Sequence, residues 1–153
     1  MRAKHQITLA AESASLARFR EFISNGCQKA RLDDDTCYDI QLAVDEACTN
    51  IIQHGYIGLD PGSIILSLQY GARQIVVRII DFGHPFEPSE PPAPDVEAVF
   101  AAGNADGYGL YFIYRSMDVV TYDSTGDTNT LTMVKLLTKQ EIQPAGAQNL
   151  EQA

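Results

Sequence analysis

Five of the seven prolines in this chain fall within ten residues, Pro85 to Pro94. Proline has no backbone N–H and a fixed φ, so regular structure cannot run through such a stretch. The 153 residues are thereby cut into two blocks, and each must supply its own helices and strands. The whole segment from Gly83 to Gly107 changes character with the prolines. A loop of that length inside a compact domain is usually functional, such as a lid, or else disordered. Its far end, Ala101-Ala102-Gly103-Asn104-Ala105-Asp106, offers little apolar surface to anchor it, so Glu87 to Asp106 is expected to be mobile.

The first block begins with a strand over His5–Ala10, followed by Ser13 as an N-cap. From Ala14 to Ala30, Leu16, Phe19, Phe22 and Ile23 recur at helical spacing, with Asn25-Gly26 a weak point. Asp33, Asp34 and Asp35 put negative charge at the start of a second helix, where the helix dipole favours it. Its apolar stripe is Ile40, Ala43, Val44, Ala47 and Ile51, and Gly55 stops it after His54. Asp60-Pro61-Gly62 is a turn. Ile64–Leu68 and Ile75–Ile80, joined through Gly71, read as an antiparallel hairpin. In the second block a helix starts near Gly109 and carries Leu110, Phe112, Ile113 and Met117. Val119–Asp123 and Thr130–Leu137 form a hairpin around Ser124-Thr125-Gly126-Asp127. After Lys139 the composition turns polar and small, which predicts a domain over 1–139 and a flexible tail over 140–153. The class that follows is α+β: a two-layer sandwich with a mixed, mostly antiparallel sheet and helices on one face.

The length suits a single domain with one substantial core. No apolar run follows Met1-Arg2-Ala3-Lys4, and no apolar stretch exceeds strand length, so neither a secretory leader nor a membrane span is expected. Twenty acidic against eleven basic residues give a net charge of −9, which argues against nucleic acid or an anionic membrane as partner. The three cysteines, Cys27, Cys37 and Cys48, are odd in number and widely spaced. They are expected as reduced, mostly buried thiols in a cytoplasm.

The chemistry concentrates in three places. Glu46 and Asn50 are four apart and share one side of a helix, beside the stripe of Ala43, Ala47 and Ile51. They are either a mutually hydrogen-bonded pair at the edge of the core or a site, with Asn50 offering an amide oxygen to Mg²⁺ and Glu46 deprotonating a nucleophile. Asp81 closes a strand just before Gly83. It either caps a turn or accepts from an exocyclic amine such as adenine's. Gly107-Tyr108-Gly109-Leu110 opens the last helix, as a plain helix start or as a phosphate-binding turn. Asp81-Phe82-Gly83 is not the protein-kinase triplet, for no His-Arg-Asp loop or Val-Ala-Ile-Lys strand accompanies it. A Walker lysine, a third glycine of a dinucleotide fingerprint and a GxSxG elbow are likewise missing.

In this order the motifs resemble those of the GHKL ATPase superfamily. Glu46-Ala47-Cys48-Thr49-Asn50 resembles its N-box, Asp81-Phe82-Gly83-His84-Pro85-Phe86 its first glycine box and Gly107-Tyr108-Gly109-Leu110 its second. The short chain, the Asp-x-Gly-x-Pro-Phe form and Asn129-Thr130-Leu131 are similar to the anti-sigma-factor serine kinases of the RsbW type. The resemblance covers nearly everything from Ile7 to Leu137. It implies a Bergerat-type fold with ATP and Mg²⁺ as cofactors. Glu46 would be the general base, Asn50 the Mg²⁺ ligand and Asp81 the adenine reader, with Gly83, Gly107, Gly109, Leu110 and Thr130 around the nucleotide. It further implies a cytoplasmic homodimer that phosphorylates a small STAS-like anti-sigma antagonist and binds a sigma factor. The proline-rich segment would be the ATP lid.

This sequence departs from that pattern where a basic residue is common. Asp106 stands before the second glycine box, and no Lys or Arg occurs between Arg78 and Arg115. Phosphoryl transfer relies on cations, so Mg²⁺, Arg115 or a partner's arginine would have to supply them. A nucleotide-sensing module without catalysis, or the detached ATP-binding domain of a histidine kinase, are the alternatives.

Overall fold

The computed structural model of the protein describes residues 3–85 and 109–138. The expected lid from Glu87 to Asp106, Gly107 and the tail over 140–153 lie outside them. In chain order the elements are β1 (Ala3–Ala10), α1 (Ser15–Ala30), α2 (Asp34–Asn50) continued by a π-helical turn (Ile51–Gly55), β2 (Ser63–Tyr70), β3 (Gln74–Asp81), α3 (Gly109–Ser116), β4 (Val119–Thr125) and β5 (Thr128–Leu136). The five strands form one sheet in the order β1-β2-β3-β5-β4. Each pairing is antiparallel, so the expected mixed character is absent among the described strands. The fold is α+β, as the two hairpins of the sequence require.

Register aligns side chains into rows that cross the whole sheet. Leu9, Ile64, Asp81, Asn129 and Ser124 are successive partners on one row, and Ile7, Leu66, Ile79, Leu131 and Tyr122 on the next on the same face. The second row and its neighbours are apolar, with Leu66, Leu68, Ile75, Val77, Ile79 and Met133 all fully buried. Against them pack Phe19, Ile23 and Cys27 of α1, Ile40, Ala43, Val44, Ala47 and Cys48 of α2, and Ile113 of α3. The first row is the exception: three of its five residues are polar, and they mark one end of the sheet.

Local chemistry corrects three expectations. Ser13 does not cap α1. The N-cap is Ala14, without a side-chain hydrogen bond, and the Ser15 hydroxyl instead donates to the carbonyl of Ala10 at 2.7 Å. Gly26 does not interrupt the helix, because a Cβ there would collide with Leu68; the glycine lets α1 sit close to β2. Helix α1 ends at Arg31, in the left-handed region with φ 58°. The N-cap of α2 is Asp33, whose carboxylate accepts from the Thr36 amide at 2.7 Å.

The third correction concerns the thiols. Cys27 at the end of α1 and Cys37 in the first turn of α2 are joined as a disulfide, with Cα atoms 5.8 Å apart. Only Cys48 is free and buried, and burial pushes its thiol up to about 12. Sequence spacing said nothing of this pairing, since the helix turn that brings the two residues together is a matter of fold. Thiol titration of the unfolded, unreduced protein should therefore find one reactive group, and three after reduction. Closing so short a loop stabilises by roughly 2–3 kcal/mol in the chain-entropy picture, so reduction should also lower the melting temperature. Three thiols before reduction would contradict the bridge.

Candidate functional site

Helix α2 divides its flanks between two partners. Asp45 meets Arg20 of α1 through Nε at 2.8 Å, a partly exposed pair. Asp39 lies on the other flank. It accepts from Lys135 Nζ of β5 at 3.0 Å, and the same ammonium donates to the Ser116 carbonyl at the end of α3 at 3.1 Å. Seven and eleven residues beyond Asp39, within about 20° of its angular position, come Glu46 and Asn50. Both are therefore on the flank shared with α3, and both are half-buried. Helix α3 packs along α2 and is fastened at the Asp39 end, so its first residue, Gly109, points back toward Glu46 and Asn50. Arg115, exposed in its last turn, lies about 9 Å further along the axis from Gly109. Arg115 thus lies at the opposite end of α3 from the helix start expected to meet phosphate.

Glu46 titrates abnormally. Burial raises its carboxyl above the usual range, and the charge of neighbouring Asp45 raises it further. A carboxyl so placed is a better proton acceptor when ionised than a solvated one.

Asp81 ends β3 on the polar row and is 6% exposed. Its Oδ1 accepts from the Gly83 amide and from Asn129 Nδ2, both at 2.9 Å. The turn that follows is held at its amides and at the Gly83 carbonyl. The Phe82 amide donates to Tyr56 Oη at 2.9 Å, the Gly83 carbonyl accepts from Asn129 Nδ2 at 2.9 Å, and the His84 amide donates to the Gly55 carbonyl at 2.6 Å. A Cβ on Gly83 would collide with the backbone of Gly55, so only glycine permits this crossing. Burial raises the Tyr56 phenol, which stays protonated and donates to the Ser63 carbonyl at 2.7 Å. The Asp81 turn is thereby sewn to the π-helical end of α2, the helix that carries Glu46 and Asn50. Such turns of π-helix recur at functional sites.

Of the expected site residues, Asp81 and Gly83 meet the Gly55 end of α2, Glu46 and Asn50 share one flank of that helix, and Gly109 opens α3. Leu110 belongs to the first turn of α3, and Gly107 lies outside the described residues. Thr130 is not brought there: it pairs with Ile80, on the opposite face of the sheet from Asp81. The residue beside Asp81 is Asn129, which the sequence reading quoted in Asn129-Thr130-Leu131 without giving it a role. No group of three or more His, Cys, Asp or Glu gathers into a metal cluster among the described residues. One amide oxygen, as on Asn50, suits a hard cation that arrives with phosphate oxygens of its own.

The comparisons agree with this layout. Residues 9–135 match the profile of the histidine kinase-like ATPase domain. The serine/threonine-protein kinase BtrW of Bordetella bronchiseptica is 26% identical over 96 residues, covering 63% of this chain and 68% of the relative. The anti-sigma F factor of Clostridium beijerinckii is 30% identical over 115 residues, covering 69% of this chain and 76% of the relative. The serine-protein kinase RsbW of Bacillus pumilus is 28% identical over 111 residues, covering 68% and 67%. Among solved structures, one of RsbU and RsbW domains from Mycobacterium tuberculosis superposes with a TM-score of 0.62 at 18% identity; it covers 88% of this chain, which spans about a third (32%) of that longer one. The histidine kinase domain of a blue-light activated kinase from Erythrobacter litoralis gives 0.54 at 18% identity, covering 84% of this chain and 62% of that one. With helices on one face of an antiparallel sheet and Asp81 and Gly83 sewn to the π-helical end of α2, the chain belongs to the histidine kinase-like ATPase domain family, and its relatives include an anti-sigma F factor and serine-protein kinases.

Proposed function

We propose that the chain binds ATP and acts as a serine/threonine protein kinase on a small STAS-like anti-sigma antagonist, and that it sequesters a sigma factor when the antagonist is modified. The observation that carries the nucleotide half is Asp81, a buried carboxylate whose two donors among the described residues share one oxygen, at the end of an apolar sheet face. Oδ2 is left for a ligand donor such as the adenine amine. The turn of Gly83 and the helix start at Gly107, Gly109 and Leu110 would lie along the nucleotide, with phosphate oxygens at the N-terminus of α3. The kinase half rests on Glu46 and on the names of the relatives. Glu46 takes the proton of the antagonist's serine hydroxyl as its oxygen bonds to the γ-phosphorus, the β–γ bridging bond breaks and ADP departs. Mg²⁺, which the Asn50 amide oxygen would hold, supplies positive charge to the phosphates when bound.

By family resemblance we also propose a homodimer. A cytoplasmic setting follows from the need for ATP, and there the Cys27–Cys37 bridge would be open to thiol reduction. A second reading, a nucleotide-sensing module without transfer, is favoured by one observation: Asp106 and the run without cations from Ile79 to Tyr114 leave the γ-phosphate to Mg²⁺ or to a partner's arginine. A detached histidine-kinase ATP-binding domain would share the fold but lacks support from the curated relatives.

Two measurements test the proposal. Asp81→Asn replaces an acceptor with a group that can also donate, a mismatch of about 1–3 kcal/mol when buried. Calorimetry should register at least a roughly tenfold loss of ADP affinity with circular dichroism unchanged; retained affinity removes Asp81 from the site.

The second follows the raised Glu46 carboxyl. A base must be ionised, so transfer should fall as pH drops, at a higher pH than an ordinary carboxylate would give. Burial is the larger cause, but Asp45→Asn removes the neighbouring charge that adds to it and should move that limb to lower pH. Glu46→Gln should cost roughly 10²–10⁴-fold in transfer. The sign for stability is opposite: a carboxyl raised by folding favours the fold when protonated, and that contribution is lost as pH rises through its folded value. Glu46→Gln should therefore raise the melting temperature at neutral pH. A variant that keeps its transfer rate would exclude Glu46 as the base.

A further inference from the structure

The polar row at the end of the sheet holds more order than one purine-reading carboxylate needs. Ser124 of β4, Asn129 of β5 and Asp81 of β3 are successive cross-strand partners. The Ser124 hydroxyl donates to Asn129 Oδ1 at 2.7 Å. Asp81 Oδ1 and the Gly83 carbonyl can only accept, so they require the carboxamide nitrogen; Ser124 completes the orientation by donating to the oxygen left on the other side. Asn129 Nδ2 then spends its two protons on Asp81 Oδ1 and on the Gly83 carbonyl, each at 2.9 Å. Asn129 is 2% exposed, and its bond to Asp81 is buried away from competing water, while those to Ser124 and Gly83 are part-buried.

We propose that Asn129, oriented by Ser124, is the positioning residue that makes Asp81 selective for a purine carrying a 6-amino group over one carrying a 6-oxo group; this rests on the nucleotide reading of Asp81 given above. Two donors on Oδ1 fix the rotation of the carboxylate and present Oδ2 as a pure acceptor. The same asparagine holds the Gly83 peptide by its carbonyl, so the carboxylate and the turn beside it are set as one piece. An amine finds its acceptor in place. A 6-oxo group meets a second acceptor that cannot rotate away, and is rejected. Neither Asn129 nor Ser124 is required to touch the base; both act through Asp81. Thr130, which faces the other side of the sheet, has no part in this.

The test is the ratio of ADP to IDP affinity, measured by calorimetry on the full chain and on four variants. The wild type should prefer ADP by at least about tenfold. In Asn129→Asp two carboxyl groups meet at hydrogen-bond distance and must share a proton. An Asp81 that carries that proton can donate to the 6-oxo group, so the preference should shrink by at least about fivefold, chiefly through improved IDP binding. Ser124→Ala, at an exposed strand position that tolerates the change, removes the donor from Asn129 Oδ1, loosens the amide and should also reduce the ratio. Ser124→Thr keeps the hydroxyl and should restore it. A merely structural role for the row would lower the melting temperature of these variants and leave the ratio alone. If Asn129→Asp fails to fold, the Ser124 pair decides.

Asp81→Asn separates the two levels. Loss of the ADP preference in Asp81→Asn, with the ratio intact in Asn129→Asp and Ser124→Ala, overturns the positioning role while the nucleotide reading stands. A wild type that binds neither nucleotide, or binds both equally, overturns both.

Discussion

An ionised carboxylate inside an apolar layer is tolerated only where donors meet it, and the rest of the site follows from how Asp81 meets that condition. It lies at 6% exposure on the helix-covered face, one row from Ile79, Leu131 and Leu66. Unpaired, such a group would cost several kcal/mol or lose its charge. The Gly83 amide and the Asn129 side chain supply the donors. The first requires a tight turn after β3, and the second requires β5 to pair with β3 in one register only. A slip of one residue would swap Asn129 for Thr130 and turn the whole of β5 inside out. The buried row of Leu131 and Met133 forbids that slip, so the apolar core fixes the polar site.

The turn after Asp81 extends the same constraint to the helices. Gly83 and His84 cross over Gly55 at backbone contact, and Tyr56 clamps Phe82 to the start of β2. The end of α2 is therefore located relative to Asp81 by backbone bonds rather than by flexible side chains. Lys135 locates the other end of the α2–α3 pair by bonding Asp39 and the last carbonyl of α3 at once. Between these two fixtures lie Glu46 and Asn50, on the flank toward α3. On the opposite flank, Asp45 pairs with Arg20 and adds charge that keeps the Glu46 carboxyl high. Position and acidity at the candidate base thus come from the same helix.

What could be read in the sequence divides along physical lines. Glu46 and Asn50 were legible because helical geometry alone puts residues four apart on one side. The two hairpins were legible because β-rich runs with short connections leave few other solutions. Asn129 was not, since its role depends on a row joining strands 48 residues apart; alternation along Asn129-Thr130-Leu131 cannot say which face is inward. Gly26 looked like a helix breaker because propensity records the backbone and not Leu68 beneath it. Cys27 and Cys37 looked like separate thiols because ten residues of spacing say nothing about a helix–helix corner. Each miss came from tertiary contact overriding a local rule.

The central claim is that purine binds where the Asp81 turn crosses the end of α2. The direct measurement is a titration of ¹⁵N-labelled protein with ADP and Mg²⁺, followed by amide and side-chain chemical shifts. Binding there should move the amides of Gly55, Gly83 and His84, the Asn129 side-chain NH₂ and the first turn of α3, with little change at the β2–β3 turn around Ala72 and Arg73. Shifts confined to that turn, or none at saturating nucleotide, would contradict it.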